Sequence, residues 1–377
     1  MNGKKTILIT APYFPPQGGG LERYALEIAR GLSSAFDWRV VVVCANEKKE
    51  EDRKEEMNGI TIYRLKPDLR FSNTPLAFGW FGKIKKIIKE EKPDVINVHT
   101  PVPGLGDITS FLGRNIPQVV TYHTGSMKKG NYLDICILAY EKIVLGFMLR
   151  RAHRIICSSD FVRMDFLKRY MDKSETITPG IDCNLFAPDS KLKSGQPKVL
   201  FVAKLERGQE YKGLRTLLDA VKILKKDIPD IKLDVAGDGN LKSEYENYAK
   251  TNGLEDNVNF RGRLEGQELV KAYQSAWAFS LPTRSDSQPL VILEAMASGL
   301  AIVSTKIGGI PTMIKDGKEG FLIEPDNAEI LAEEMSMLLD NPELRERFAK
   351  AARERAVKDF SWQSRLEAYD AALRSSI

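Results

Sequence analysis

Asp286 and Glu294 lie eight residues apart in a stretch that closes on Gly299. Eight residues is a little over two helical turns, so one continuous helix would set both acids near one face. The sequence favours another arrangement, with Asp286 in the loop that leads into a short helix and Glu294 two turns inside it. One carboxylate would then reach the end of a bound ligand and the other its middle. The helix start between them offers backbone N–H groups to anything anionic. A sugar nucleotide has that shape: two ends rich in hydroxyls and a diphosphate between them. Acid pairs at this spacing are common by chance, and the rest of the chain supplies the weight.

Lys204 follows a strand, and Lys212-Gly213 opens the next helix. Two cations beside a helix N-terminus suit a diphosphate, each charge pair being worth about 1 kcal/mol in water and about 4 kcal/mol at an effective dielectric of 20. They would also stabilise a departing nucleoside diphosphate, which makes them catalytic as well as binding groups. Either lysine alone is equally explained as solvated surface. His99 and His123, two of only three histidines, each close a strand. A histidine there can donate to a sugar hydroxyl or a leaving phosphate. A structural histidine is the simpler reading of His99, and both readings stand for His123. The glycine run Gly18, Gly19, Gly20 precedes a helix and either frees N–H groups for an oxygen ligand or makes a plain turn. Gly237-Asp238-Gly239 and Arg261-Gly262 end two further strands, where a base or ribose could rest, though turn chemistry also accounts for them. The GxGxxG fingerprint is absent, which disfavours a nicotinamide dehydrogenase.

These residues need a frame. A chain of 377 residues suggests two domains. Buried-strand runs alternate with helical patterns throughout, arguing α/β with parallel sheets. Strands are expected at 6–10, 39–45, 95–99, 119–123 and 154–158, with helices at 21–32, 81–90 and 132–151 among them. A second series begins at Lys198 and continues at 232–236, 258–261, 278–281, 301–304 and 320–323, and helical patterns from Ala328 to Arg374 finish the chain. The polar stretch 187–197 reads as a linker. Two doubly wound domains facing each other would bind ligand in the cleft outside the strands' carboxyl ends.

The net charge of +5 is uneven, with 28 Lys/Arg against 20 Asp/Glu in residues 1–180 and 28 against 31 beyond. A basic first half can meet phosphate or anionic lipid, or be solvated surface. The helix from Phe81 to Lys89 is basic and amphipathic, with Ile84, Ile87 and Ile88 on one face. Such a helix can lie on an anionic membrane or pack its isoleucines on the sheet. Four cysteines without CxxC spacing or nearby histidines read as reduced thiols of a cytosolic protein, neither a disulfide framework nor a zinc site. The start of the chain lacks a signal-peptide pattern, and no stretch is apolar enough to span a bilayer. Basic residues are not interleaved with aromatics in any nucleic-acid motif, so no nucleic-acid partner is expected.

In order, these motifs resemble the retaining GT-B glycosyltransferases of family 4. The likeness runs through Gly19-Gly20 with Glu22 and Arg23, Pro93-Asp94, His123, Gly180 and Asp182, Lys212-Gly213, Gly237 and Gly239, and Arg261-Gly262. It ends with Asp286, Glu294, Gly299, Gly308 to Pro311, and Gly320 to Ile323. The resemblance implies an α/β GT-B fold, with residues 1–185 binding the acceptor, residues 186–362 binding the nucleotide-sugar, and a last helix at about 363–377 returning to the first domain. It implies that Gly19 and Gly20 contact the diphosphate or donor sugar. It puts His123 at the reaction centre and Lys204 and Lys212 on the phosphates. Asp286 would hold the sugar, Glu294 the ribose, and Gly237, Arg261 and Leu290 would join the donor site, with His123, Lys204, Lys212 and Asp286 catalytic. Three departures stand out. The usual Glu-x7-Glu begins with aspartate, the usual Arg before the lysine is Lys204, which lacks the guanidinium fork, and Ser287-Gln288-Pro289 replaces Gly-Phe-Gly. Proline supplies no N–H.

The reaction implied is transfer of a hexose from a UDP- or GDP-sugar to an acceptor hydroxyl with retention, in carbohydrate or glycolipid biosynthesis. No DxD pair occurs, so no obligatory metal and no cofactor is expected. The partners expected are the nucleotide-sugar and a hydroxyl acceptor, lipid-linked if the enzyme works at the inner membrane surface. A GT-B epimerase or phosphorylase and a non-catalytic sugar-nucleotide binder are the alternatives.

Overall fold

Uninterrupted aliphatic runs such as Val40–Val43 are fully buried, the mark of parallel strands covered on both faces. The structure, a computed structural model, describes residues 4–15, 20–46, 51–71, 74–123, 134–286 and 288–377. The chain divides into one unit of Met1–Pro179 with Arg365–Ile377 and a second of Gly180–Ser364. The sequence set its boundaries at 185/186 and 362/363. The stretch 187–197 lies inside the second unit, where Lys193 Nζ donates to Ala276 O at 2.6 Å and Trp277 Nε1 to Ser194 O at 2.8 Å.

The first unit runs β1 (Lys5–Thr10), α1 (Gly20–Ala35), β2 (Trp38–Ala45), β3 (Arg53–Met57), β4 (Ile60–Leu65), β5 (Leu69–Phe71), β6 (Thr74–Leu76) and α2 (Trp80–Glu91). It continues with β7 (Val95–Thr100), α3 (Leu105–Leu112), β8 (Gln118–Tyr122), α4 (Asp134–Tyr140), α5 (Gly146–Arg151), β9 (Arg154–Cys157), α6 (Asp160–Phe166) and β10 (Ser174–Thr176). The sheet order is β10-β9-β8-β7-β1-β2-β4-β3, with β3 antiparallel to β4. Strand order reverses between β1 and β7, the place where such sheets bind ligands. The β3–β4 hairpin turns at Asn58-Gly59, both at positive φ, a two-residue turn that asparagine and glycine favour. Between α4 and α5 the helix widens into a π-helical turn at Glu141–Leu145.

On α2 the isoleucine face settles the choice left by the sequence. Ile84 and Ile87 are core residues, and Lys85, Lys86 and Lys89 are exposed. That apolar face packs inward with strand and α3 residues such as Leu8, Val98 and Leu105, and it is not a membrane face.

The second unit runs β11 (Lys198–Val202), α7 (Leu214–Leu224), β12 (Lys232–Ala236), α8 (Lys242–Thr251), β13 (Val258–Gly262), α9 (Gly266–Ser275) and β14 (Ala278–Leu281). Then come α10 (Leu290–Ala297), β15 (Ala301–Thr305), α11 (Ile310–Met313), β16 (Gly320–Ile323), α12 (Ala328–Asp340) and α13 (Pro342–Asp359). Its six parallel strands are ordered β13-β12-β11-β14-β15-β16, the dinucleotide-fold order with its switch point between β11 and β14. A last helix, α14 (Trp362–Arg374), belongs to the first unit from Arg365 onward. There Tyr369 Oη donates to Asn97 Oδ1 at 2.8 Å and lies 2.6 Å from Thr121 Oγ1, while Trp38 Nε1 donates to Asp370 at 2.6 Å.

Candidate active site

In the second unit the switch point brings Lys212 and Asp286 together. Lys212 ends a 3-10 turn, and Gly213 follows at φ +81. A Cβ on Gly213 would lie 2.0 Å from Pro282 O, so only glycine lets the loop after β14 come this close. Tyr211 O accepts from Arg284 N at 2.7 Å and from Thr283 Oγ1 at 2.9 Å, and Thr305 Oγ1 donates to Thr283 O at 2.6 Å. This lacing sets Lys212 Nζ 2.5 Å from Asp286 Oδ2, with both side chains largely shielded from water.

Asp286 lies in the loop, as its spacing suggests, but α10 begins only at Leu290. Glu294 is therefore a little over one turn into the helix, not two. Pro289 is the N-cap residue and offers no side-chain cap, so the first-turn N–H groups are unpaired by it. Leu290 is exposed at this end. Both amide atoms of Gln288 are buried without a hydrogen-bond partner among the described residues. Glu294 accepts from Tyr273 Oη at 2.8 Å. Tyr273 is fully buried, and burial followed by the Glu294 charge raises its phenol well above the usual range, so it stays a donor.

A cavity of about 430 Å³ opens at the carboxyl ends of β11 and β12, lined by Lys204, Glu206, Gly237, Asp238, Gly239, Arg263 and Val291 among others. A Cβ on Gly237 would meet Ala203 O at 1.9 Å, which fixes glycine where the two strand ends converge. Lys204 is exposed and makes no hydrogen bond or ion pair among the described residues. Arg261 turns elsewhere, pairing with Asp234 at 3.3 Å, and Arg263 takes the place at the cavity. Strand alternation would keep 261 and 263 on one face, but Gly262 at φ +68 breaks it. A larger groove of about 550 Å³ between α7 and α12 carries Asp227, Glu329, Glu333 and Asp340, an acidic lining unsuited to a diphosphate. Among the described residues no three His, Cys, Asp or Glu side chains gather as a metal site.

In the first unit, Gly20 is the first residue of α1, and Gly19 lies outside the described residues. His123 follows β8, and its Nε2 is 2.9 Å from Nδ1 of His99 on β7. Tyr24 of α1 packs edge-on against His123 with ring centroids 5.2 Å apart. Ser158 Oγ donates to His123 O at 2.9 Å, tying the loop to β9. Burial pushes the His123 imidazole down to about 3, and burial with the His123 neighbour takes His99 well below its usual value. The pair is neutral at physiological pH. The sequence placed both histidines at strand ends; it gave no sign that they touch, that Tyr273 holds Glu294, or that Arg263 lines the cavity.

Residues 18–185 match the model described as Glycosyltransferase Family 4, and residues 185–355 that of Glycosyl transferases group 1. The sulfoquinovosyl transferase of Arabidopsis thaliana is 28% identical over 341 residues, covering 85% of this chain and 65% of its own length. A D-rhamnosyltransferase of Pseudomonas aeruginosa is 29% identical, covering 91% and 88% of the two chains. The solved structure of Anabaena HepE with UDP superposes with a TM-score of 0.75 at 18% identity, covering 98% of this chain and all of that one. The same protein with UDP-glucose superposes at 0.71 and 20% identity, over 99% of this chain and all of that one. The chain belongs to the group 1 glycosyltransferases and has the GT-B fold. Among the described residues no helix is long and apolar enough to cross a membrane.

Proposed function

We propose that this glycosyltransferase moves a hexose from a nucleoside-diphosphate-sugar to a hydroxyl acceptor, with retention and without an obligatory metal. The observation that carries the reading is the Lys212–Asp286 pair at the second unit's switch point, beside the uncapped start of α10. Lys204, Lys212 and the α10 N-terminus are the positive groups for the diphosphate, and Glu294, braced by Tyr273, takes the ribose. The nucleoside end fits the cavity beside Gly237, Asp238 and Arg263. UDP is the first nucleotide to test, since HepE was solved with UDP and UDP-glucose.

In the reaction, the bond from the anomeric carbon to the β-phosphate oxygen breaks as the acceptor oxygen bonds to the same face. The acceptor's proton passes to the leaving phosphate oxygen, and Lys204 and Lys212 offset the charge that develops there. No covalent nucleophile is required. His123, neutral at working pH and placed at the reaction centre by the family resemblance, is assigned here to donate to a donor-sugar hydroxyl. The experiment is product analysis with UDP- and GDP-hexoses, with and without chelator. Anomeric inversion, or activity abolished by EDTA and restored by a divalent cation, would overturn the reading.

The acceptor is proposed to be lipid-linked. Ile135, Leu138, Ile143 and Phe147 on α4, the π-helical turn and α5 are exposed, with Lys142, Arg150 and Arg151 interspersed. Apolar side chains among basic ones suit an anionic lipid surface.

A further inference from the structure

The His99–His123 bond has a far end. His99 is 2% exposed, its Nδ1 is engaged by His123, and its Nε2 is buried without a hydrogen-bond partner among the described residues. Thr10 Oγ1, at the end of β1, is buried and unpartnered in the same way. Both residues line one cavity of about 10 Å³, space for a single water molecule. Leu105 and Gly106, the first two residues of α3, complete part of its wall, and a Cβ on Gly106 would lie 3.7 Å from Thr10 Oγ1.

The small cavity that His99 Nε2 borders is thus also bordered by groups able to donate. A threonine hydroxyl can donate, and the first-turn N–H groups of a helix point outward without helical partners, although at this helix start the Asp107 carboxylate accepts from Gly104 N at 2.8 Å. Such surroundings favour a bare, accepting Nε2 on His99, as a helix N-terminus favours neutral imidazole. A neutral ring carries one proton, so the His99 proton sits on Nδ1. It then donates to His123 Nε2, which must be the acceptor. His123 in turn carries its proton on Nδ1.

We propose that His99 is a positioning residue that locks His123 in the Nδ1–H tautomer, with Thr10 and the start of α3 setting the tautomer of His99. The consequence for transfer rests on the reading of His123 given above. A locked Nδ1–H makes His123 a hydrogen-bond donor to an oxygen of the bound sugar and denies it the role of base. No reorientation of the ring or proton is then needed at each turnover.

The chain has three histidines, so nitrogen-15 histidine labelling gives a readable spectrum without reference to activity. The wild-type spectrum should show His123 protonated at Nδ1 and bare at Nε2; an Nε2–H tautomer overturns the proposal. His99→Leu should abolish the single tautomer and lower kcat about 10- to 100-fold, with the donor KM changed less than about threefold. His99→Asn, whose amide N–H can take the place of Nδ1–H, should restore the tautomer and most of kcat. An unchanged His123 tautomer in His99→Leu also overturns the proposal, and if that variant does not fold, the wild-type and His99→Asn spectra decide. Full activity in His123→Ala would remove the catalytic reading while leaving the tautomer result standing.

Discussion

Lys212 Nζ lies 2.5 Å from Asp286 Oδ2, so the residue proposed for the donor's diphosphate and the one proposed for its sugar are partners of each other. The pair joins residues 74 apart in sequence through the Tyr211–Thr283–Thr305 lacing. Asp286 therefore aims the lysine as well as serving, in the function proposed above, as the acceptor for a sugar hydroxyl. The aspartate, one methylene shorter than the family's glutamate, sits in a loop drawn tight against Gly213.

Removing either partner should have unequal effects. Lys212→Ala should lower kcat about 100- to 1000-fold, the loss expected when one preorganised donor to a developing oxyanion is removed. Asp286→Asn leaves the lysine in place but unaimed, and should cost about tenfold in kcat/KM. Steady-state rates with a saturating acceptor check both. Equal losses would mean that the pair acts only as a structural tie.

Tyr273 should matter mainly through Glu294, its nearer partner at 2.8 Å, with Val291 O at 3.4 Å the other. Tyr273→Phe removes a hydrogen bond to a charged group, worth about 1.5–3 kcal/mol, and should raise the donor KM about tenfold with kcat nearly unchanged. Titration calorimetry with the nucleoside diphosphate should show the same loss. A fall in kcat at constant KM would contradict the ribose role of Glu294.

The histidine pair predicts a sign for the pH dependence of stability. Both imidazoles have folded values below the unfolded value of about 6.5, and that of His123 is about 3. Between those values the unfolded chain binds more protons, so their contribution is complete above about pH 6.5 and is lost as pH falls towards 3. Asp107, raised by burial to about 6, works in the opposite direction between about pH 4 and 6. Comparison with a variant isolates the histidines. The urea midpoint should fall from pH 7.5 to 5 more steeply in wild type than in His99→Leu. Equal slopes would mean that the pair titrates normally.

Vesicle binding should follow α4 and α5 rather than α2. Phe147→Asp with Ile143→Asp should abolish flotation with phosphatidylglycerol vesicles, while Ile84 and Ile87 are in the core and take no part. Flotation unaffected by the double change would remove the lipid surface from these helices.

The parallel α/β architecture was legible because strands buried on both faces read as continuous apolar runs, and the six strands of the second unit lie where the sequence placed them, with β13 an alternating edge strand. The strands overlooked were β3 to β6 and β10, most of them short or charged, but also β4, Ile60–Leu65, which is six residues long and almost wholly buried. β3, Arg53–Met57, is a sheet edge with no apolar run to announce it, although Asn58-Gly59 beside it is a hairpin signal. On α2 the sequence allowed two directions for the isoleucines, and only packing against the sheet chose one.

By itself the sequence determined which chemistry was available: two basic groups ahead of a helix start, two acids eight residues apart, and histidines at strand ends. Residue type and local spacing carry that information, because they depend on covalent geometry and helical period. The tertiary structure decided which groups meet. It joined Lys212 to Asp286, His99 to His123 and Tyr273 to Glu294, moved Arg261 onto Asp234, and brought Arg263 to the cavity. Such pairings depend on strand order and on close backbone approaches at Gly213 and Gly237. Those are properties of the folded sheet, and no local pattern in the chain encodes them.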